Sequence, residues 1–308
     1  MPITLLKERR ALVYIAFGVI LLGSGPIFVK SVQAHGVLVG FYRLFFASLM
    51  LALPAWRLIG RNPSPAVNSR HEWAWSALGG ITFAANIALW CSALNYTTAS
   101  AVTLLDNTAP VWVGLIGWLA QGQKQAARYW LGLLVTLGGA ALMIGMDALG
   151  TMTAQMTGNL IALASGLTYA LYIMVTSRAR RSLSSLQYSF RVSTIGAVSL
   201  LAVSMGLGLF REPLSLRSYI LIFIMALTSQ VIAWLLVNHS LGVLPAAAAS
   251  IALVGQPLVS TILGMLLINE VPTPLQAVGG ALCLAGILLV QFSGKSVSPA
   301  PPLVSGMD

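Results

Sequence analysis

The chain has 308 residues, of which 57% are hydrophobic and only 8% charged, with a formal net charge of +10 and a mean hydropathy of +0.87. So few charged side chains cannot cover a folded surface of this size, which excludes a soluble domain. The excess of cations does not point to nucleic acid either, because they sit in short connections and not along one face.

Ten apolar stretches of about twenty residues fill most of the chain, at roughly 11–33, 36–58, 73–95, 98–121, 128–147, 158–177, 187–209, 217–239, 246–269 and 274–292. Each can cross a ~30 Å hydrocarbon core as a helix rising 1.5 Å per residue. The expected fold is an all-α polytopic membrane protein of ten transmembrane helices, multi-pass in the lipid bilayer. Residues 1–10 precede the first helix, and the Pro- and Ser-rich 293–308 form a disordered tail. The first stretch has a basic start and small residues at Val32 and Ala34, like a signal peptide. Its apolar run is long for a signal, and the ten-span arrangement needs it as a helix.

Orientation follows from the cations. With the N-terminus inside, the inner segments hold Lys7, Arg9, Arg10, Arg57, Arg61, Arg70, Lys124, Arg128, Arg178, Arg180, Arg181 and Lys295, and the outer ones only Arg211 and Arg217. Twelve against two satisfies the positive-inside rule and predicts that both termini are cytoplasmic. Cys91 and Cys283 fall inside spans, where thiols act as apolar filler.

Polar groups are expensive in hydrocarbon, so those within spans mark a candidate cavity. In chain order, span 2 carries Arg43. Span 3 carries Asn86 and Trp90 at i and i+4, and span 4 carries Thr103, Asp106, Asn107 and Pro110 at i, i+3, i+4 and i+7. Span 6 places Ser165, Tyr169, Tyr172 and Thr176 on one helical face. Span 8 places Gln230, Trp234 and Asn238 at i, i+4 and i+8. Asn86, Trp90, Thr103, Asn107, Ser165, Tyr169, Tyr172, Gln230, Trp234 and Asn238 form the expected substrate-binding set. The alternative for each is structural, as an interfacial aromatic or an interhelical hydrogen bond. Asp106 and Arg43 lie at matched depths, ~12 Å and ~10 Å from the outer side at the helical rise. Asp106 is either a protonatable coupling site or the ionised partner of Arg43 or Lys30.

Shifting the second half back by 147 residues superimposes Pro257 on Pro110, Gly264 on Gly117, Gly279 on Gly132 and Gly286 on Gly139. A one-residue change of register brings Arg191 onto Arg43. Two repeats of five helices, 11–147 and 158–292, would enter the membrane from opposite sides, as in many secondary transporters. Pro110 and Pro257 remove backbone hydrogen bonds at matching places and are candidate hinges. The paired glycines predict close helix packing within the monomer, with a dimer contact as the less favoured use.

With Phe41-Tyr42-Arg43, the two prolines, Gly122-Gln123, Asn269-Glu270 and the glycine-bearing helices that follow, the chain resembles the drug/metabolite transporter superfamily, in its ten-helix branch with paired EamA domains. The resemblance covers about residues 11–292. It departs at Gln123, where the family usually has an acidic residue, and at Gly23-Ser24-Gly25, which lacks the common Trp. It implies a cavity among helices 1, 3, 4, 6, 8 and 9, with 5 and 10 peripheral. It also implies export of small organic metabolites, amino acids including aromatic ones first among them, across a bacterial cytoplasmic membrane. A multidrug or sugar-phosphate carrier is the rival within the class. An intramembrane enzyme is the rival outside it, and no HExxH or GxSxG motif supports catalysis. The sequence calls for no cofactor, metal or nucleic-acid partner, and a monomer is the favoured state.

Overall fold

The computed structural model describes residues 3–32, 34–61, 70–122, 125–144, 154–179, 183–211, 213–241 and 246–293. Among them every element is helical, and ten helices answer to the ten predicted stretches. They are α1 (Ile3–Ser31), α2 (Gly36–Arg61), α3 (Arg70–Ala93), α4 in two pieces (Ala99–Asp106 and Ala109–Gln121), α5 (Ala127–Ile144) and α6 (Ala154–Ala179). Then come α7 (Ser185–Gly206), α8 (Leu216–Met225, Ala226–Ile232 and Ala233–Leu241), α9 (Ala246–Ile268) and α10 (Pro274–Ser293). Eight are long and apolar enough to cross a membrane, while α5 and α9 carry shorter apolar runs among their described residues. The C-terminal tail and Gln123 lie outside the described residues.

Side-chain caps define several helix starts. Thr98, Ser184 and Ser215 accept from the backbone N–H groups of Ala101, Gln187 and Ser218, satisfying donors that a first helical turn leaves unpaired. Gly122 closes α4 with a left-handed φ of 63° that a side chain would strain. Trp56, Leu119, Leu134 and Leu266 stay exposed on the outer faces, an apolar surface that suits lipid. Val29, Leu44, Val102, Leu105, Ile222 and Met225 are fully buried between helices.

The neighbour relations form a pattern. α5 packs most extensively on α10, and α2 on α7; α1 meets α8 and α9, while α6 meets α3 and α4; α3 meets α7, as α2 meets α8. The α5–α10 contact follows from the glycines. A Cβ on Gly132 would lie 2.8 Å from the Gly286 carbonyl oxygen, and one on Gly139 would lie 2.5 Å from Cys283 N and 2.6 Å from the Gly279 carbonyl oxygen. With Gly132 opposite Gly286 and Gly139 opposite Gly279, the helices run antiparallel, backbone against backbone. α1 is an integral part of the bundle: Ser240 Oγ donates to the Ala11 carbonyl at 2.9 Å and Ser229 Oγ to that of Leu21 at 2.7 Å.

Candidate functional site

The polar groups predicted on separate helices meet near the middle of the bundle. Asp106 ends the first piece of α4, and its Oδ1 accepts from Asn86 Nδ2 at 2.9 Å and from Ser165 Oγ at 2.8 Å. Asn86 also donates to the Ser165 carbonyl at 3.0 Å. Three helices (α3, α4 and α6) are thereby tied around one carboxylate, the arrangement that apolar surroundings demand of a buried anion.

Helix α4 breaks at this point. Asn107 and Thr108 form a turn, with Asn107 Nδ2 donating to the Thr103 carbonyl at 2.7 Å and Thr108 Oγ1 to that of Leu105 at 2.6 Å. The break sits against Gly166, where any Cβ would come within 2.7 Å of the Leu105 carbonyl oxygen and of Thr108 Oγ1. Only a glycine lets α6 approach that backbone. The sequence reading did not single out Gly166, because a close approach between distant segments leaves no periodic signal.

Pro110 therefore falls in the first turn of the second piece, where its missing N–H costs nothing, and not in mid-helix as expected. Pro257 does lie inside a continuous α9, so the two matched prolines differ in setting. Pro26 and Pro54 are further prolines inside helices, in α1 and α2.

Arg43 projects from α2 beside this cluster and is 6% exposed. Its Nε donates to Gln230 Oε1 at 3.1 Å, and its guanidinium lies 5.3 Å from the centre of the Trp90 ring. Gln230 belongs to the π-helical segment Ala226–Ile232. That wider turn changes the register assumed for a plain α-helix, and such bulges recur at functional sites. The expected Asp106–Arg43 ion pair takes another form: both line one cavity, yet Asp106 is held by Asn86 and Ser165. Lys30, the other expected partner, pairs with Glu270.

The cavity measures about 80 Å³ and draws on seven helices. α1, α2 and α3 supply Leu22, Arg43, Phe83, Asn86, Ile87 and Trp90; α4 and α6 supply Asp106, Asn107 and Tyr169; α8 and α9 supply Trp234, Leu253 and Gln256. α5 and α10 contribute none of these residues. Of the predicted set, Asn86, Trp90, Asn107, Tyr169 and Trp234 line it. Gln230 acts through Arg43, and Ser165 through Asp106. Thr103 is fully buried, its Oγ1 2.8 Å from the Ala99 carbonyl and 3.1 Å from Ser260 Oγ, so it joins α4 to α9. Tyr172 is not among the lining residues; its ring centre lies 4.6 Å from that of Phe83 and 6.2 Å from that of Tyr169. Thr176, at the end of that stripe, lies 2.9 Å from the Tyr188 hydroxyl. The Asn238 side chain lies outside the described residues. Arg191, the counterpart of Arg43, is also buried at 6% exposed and stands 4.5 Å from the centre of the Trp73 ring.

A second, larger hollow of about 820 Å³ opens where α1 ends, α2 begins and α7 turns into α8, with Lys30, His35, Leu38, Arg211 and Arg217 in its wall. Beside it Glu270 forms a latch: Oε1 pairs with Lys30 Nζ, and Oε2 accepts from Ala99 N at 2.7 Å, at the start of α4. Among the described residues no group of His, Cys, Asp and Glu could hold a metal ion.

A broken helix and a π segment meeting at a polar cavity inside an apolar bundle are features of a membrane carrier. The profile of the EamA-like transporter family matches residues 9–145 and, a second time, 156–292. The chain belongs to the EamA-like transporter family. An "Uncharacterized transporter" of Archaeoglobus fulgidus is 26% identical over 276 residues, covering 89% of this chain and 94% of that one. The "Uncharacterized transporter YwfM" of Bacillus subtilis is 23% identical over 234 residues, 74% of this chain and 77% of its own. A solved crystal structure with 17% identity superimposes with a TM-score of 0.61 over 94% of this chain and all of that one, and so shares the fold. This EamA protein is thus a multi-pass membrane transporter, and the intramembrane enzyme gains no support from its relatives.

Proposed function

We propose that this EamA transporter exports small organic metabolites, amino acids including aromatic ones first among them, by alternating access through the cavity between two oppositely inserted five-helix halves. The observation that carries the reading is the chemistry of that cavity. One guanidinium and one carboxylate face a space walled by Trp90, Tyr169 and Trp234 and edged by the amides of Asn86, Asn107 and Gln256. One charge of each sign beside aromatic rings suits a zwitterion with an apolar side chain. A sugar phosphate would call for several cations, and among the cavity-lining residues Arg43 is the one cation.

The twofold match of the family profile supports the inverted repeat. So do the neighbour relations, which survive exchange of the halves: α1–α9 becomes α6–α4, α1–α8 becomes α6–α3, and α2–α8 becomes α7–α3. The antiparallel glycine crossing of α5 and α10 also obeys the exchange, since it maps Gly132–Gly286 onto Gly279–Gly139. The cation distribution supports cytoplasmic termini and insertion in a bacterial cytoplasmic membrane. Because the α5 and α10 glycine faces are used inside the chain, the proposed state is a monomer.

About 80 Å³ is well below the several hundred Å³ of a typical ligand pocket. The halves must therefore move apart for a substrate to enter, and the π segment and broken α4 are where the helices can yield. The test is flux of labelled amino acids in proteoliposomes, with and without a pH gradient. Saturable uptake and counterflow of phenylalanine, tyrosine or tryptophan is the expected result. Non-saturating flux without counterflow would make it a pore, and a chemically altered product would make it an enzyme.

A further inference from the structure

Resting on that reading, we infer that Arg43 is the carboxylate anchor of the substrate site, and that the protein selects ligands by the presence of a free carboxylate. Arg43 is only 6% exposed and is one of the residues that line the cavity. Its Nε is committed to Gln230 and its face to Trp90. Its Nη1 has no hydrogen-bond partner among the described residues, although that atom is sealed from solvent.

A buried donor on a charged group is normally satisfied, because leaving it unmade forfeits the full desolvation penalty. The nearest chemical remedy would be Asp106, which lines the same cavity. Its Oδ1 is already engaged by Asn86 and Ser165, and no Asp106–Arg43 ion pair forms. The carboxylate is thus fixed by two neutral donors on α3 and α6, while the cation is fixed by a neutral acceptor on α8. Holding the two charges apart leaves Nη1 of Arg43 without a hydrogen-bond acceptor among the described residues. A carboxylate accepting from Nη1 forms a charge-assisted hydrogen bond, which an amide or an ester cannot match in strength. Trp90 beneath the guanidinium restricts its plane. A carboxylate entering the expanded cavity completes a shell that the protein leaves incomplete.

The experiment compares L-phenylalanine, L-phenylalaninamide, phenethylamine and 3-phenylpropionate as ligands of the purified full-length protein. Thermal-shift titration measures binding, and competition in counterflow measures transport. In the wild type, the two carboxylates should bind about tenfold to a hundredfold more tightly than the amide and the amine. Arg43→Gln should remove that preference by bringing the carboxylates down to the level of the amide, and Arg43→Lys should restore part of it. Equal binding of phenylalanine and its amide by the wild type overturns the inference without using any variant, whatever becomes of the amino-acid reading. Loss of acid and amide binding in equal proportion by Arg43→Gln makes the arginine structural and likewise overturns it. If phenylalanine fails but 3-phenylpropionate binds in an Arg43-dependent way, the amino-acid reading falls and the carboxylate anchor stands. If neither carboxylate binds the wild type, the anchor falls.

Discussion

Substituting Glu270→Gln tests the latch beside the larger hollow. The Lys30–Glu270 pair joins α1 to the turn between α9 and α10, and its side chains are 20% and 18% exposed. Glu270 also accepts from Ala99 N at 2.7 Å, where its charge meets the positive end of the first α4 piece. Glutamine can keep an acceptor at that N–H, but it loses the charge on both contacts. Exposed ion pairs contribute about 0–1 kcal/mol, and breaking buried ones costs about 3–5. This mostly shielded pair falls between, so the latch should weaken by about 1–2 kcal/mol, and the mouth should open about 5- to 30-fold more often. Leu38 offers the reporter, since it lines the hollow yet is 4% exposed. The native Cys91 and Cys283 are fully buried and give a low background. A Leu38→Cys protein should therefore react with a membrane-impermeant maleimide about 5- to 30-fold faster once Glu270→Gln is added. Adding Lys30→Met should then change little, because the two residues act as one contact. An unchanged rate in the folded Glu270→Gln protein, or fully additive effects of the two substitutions, would refute the latch.

The glycine crossing predicts that Gly139→Ala, whose Cβ meets backbone atoms of α10 at 2.5–2.6 Å, lowers stability by about 1–3 kcal/mol, read as a fall in melting temperature. The neighbouring Gly138→Ala, with nothing within 4 Å of its Cβ, should leave the melting temperature unchanged or raise it. Asp106→Asn keeps the contacts with Asn86 and Ser165 but removes the charge. Transport in vesicles should slow and lose its pH dependence, and normal flux with an unchanged pH profile would end any coupling role. Pro257→Ala restores a backbone hydrogen bond inside α9 and should slow counterflow more than it weakens binding. Pro110→Ala, in the first turn of a helix piece, should do neither.

The number and order of the helices were legible from the apolar stretches along the chain, because in hydrocarbon a backbone must satisfy itself within each segment. Span length is then dictated by bilayer thickness and not by neighbours. That α5 and α10 pack closely within the monomer could be anticipated from Gly132, Gly139, Gly279 and Gly286, since small residues let another backbone come close; that they pair with each other, antiparallel, came from the structure. Of the stripe on α6, Ser165 meets Asp106 and Tyr169 lines the cavity, whereas Tyr172 lies against Phe83 and Thr176 against Tyr188.

What the chain does not announce is who meets whom across that interior. Opposite charges at equal depth suggested an Asp106–Arg43 pair, yet neutral donors from α3 and α6 reach the carboxylate, and Gln230 reaches the arginine. Depth is a one-dimensional quantity set by position along a helix, whereas partnership depends on rotation about each axis and on which helices adjoin. The same limit hid the α4 break against Gly166, the π turn that aims Gln230, and the Glu270 latch. Each is a compromise between distant segments, settled only when the bundle packs.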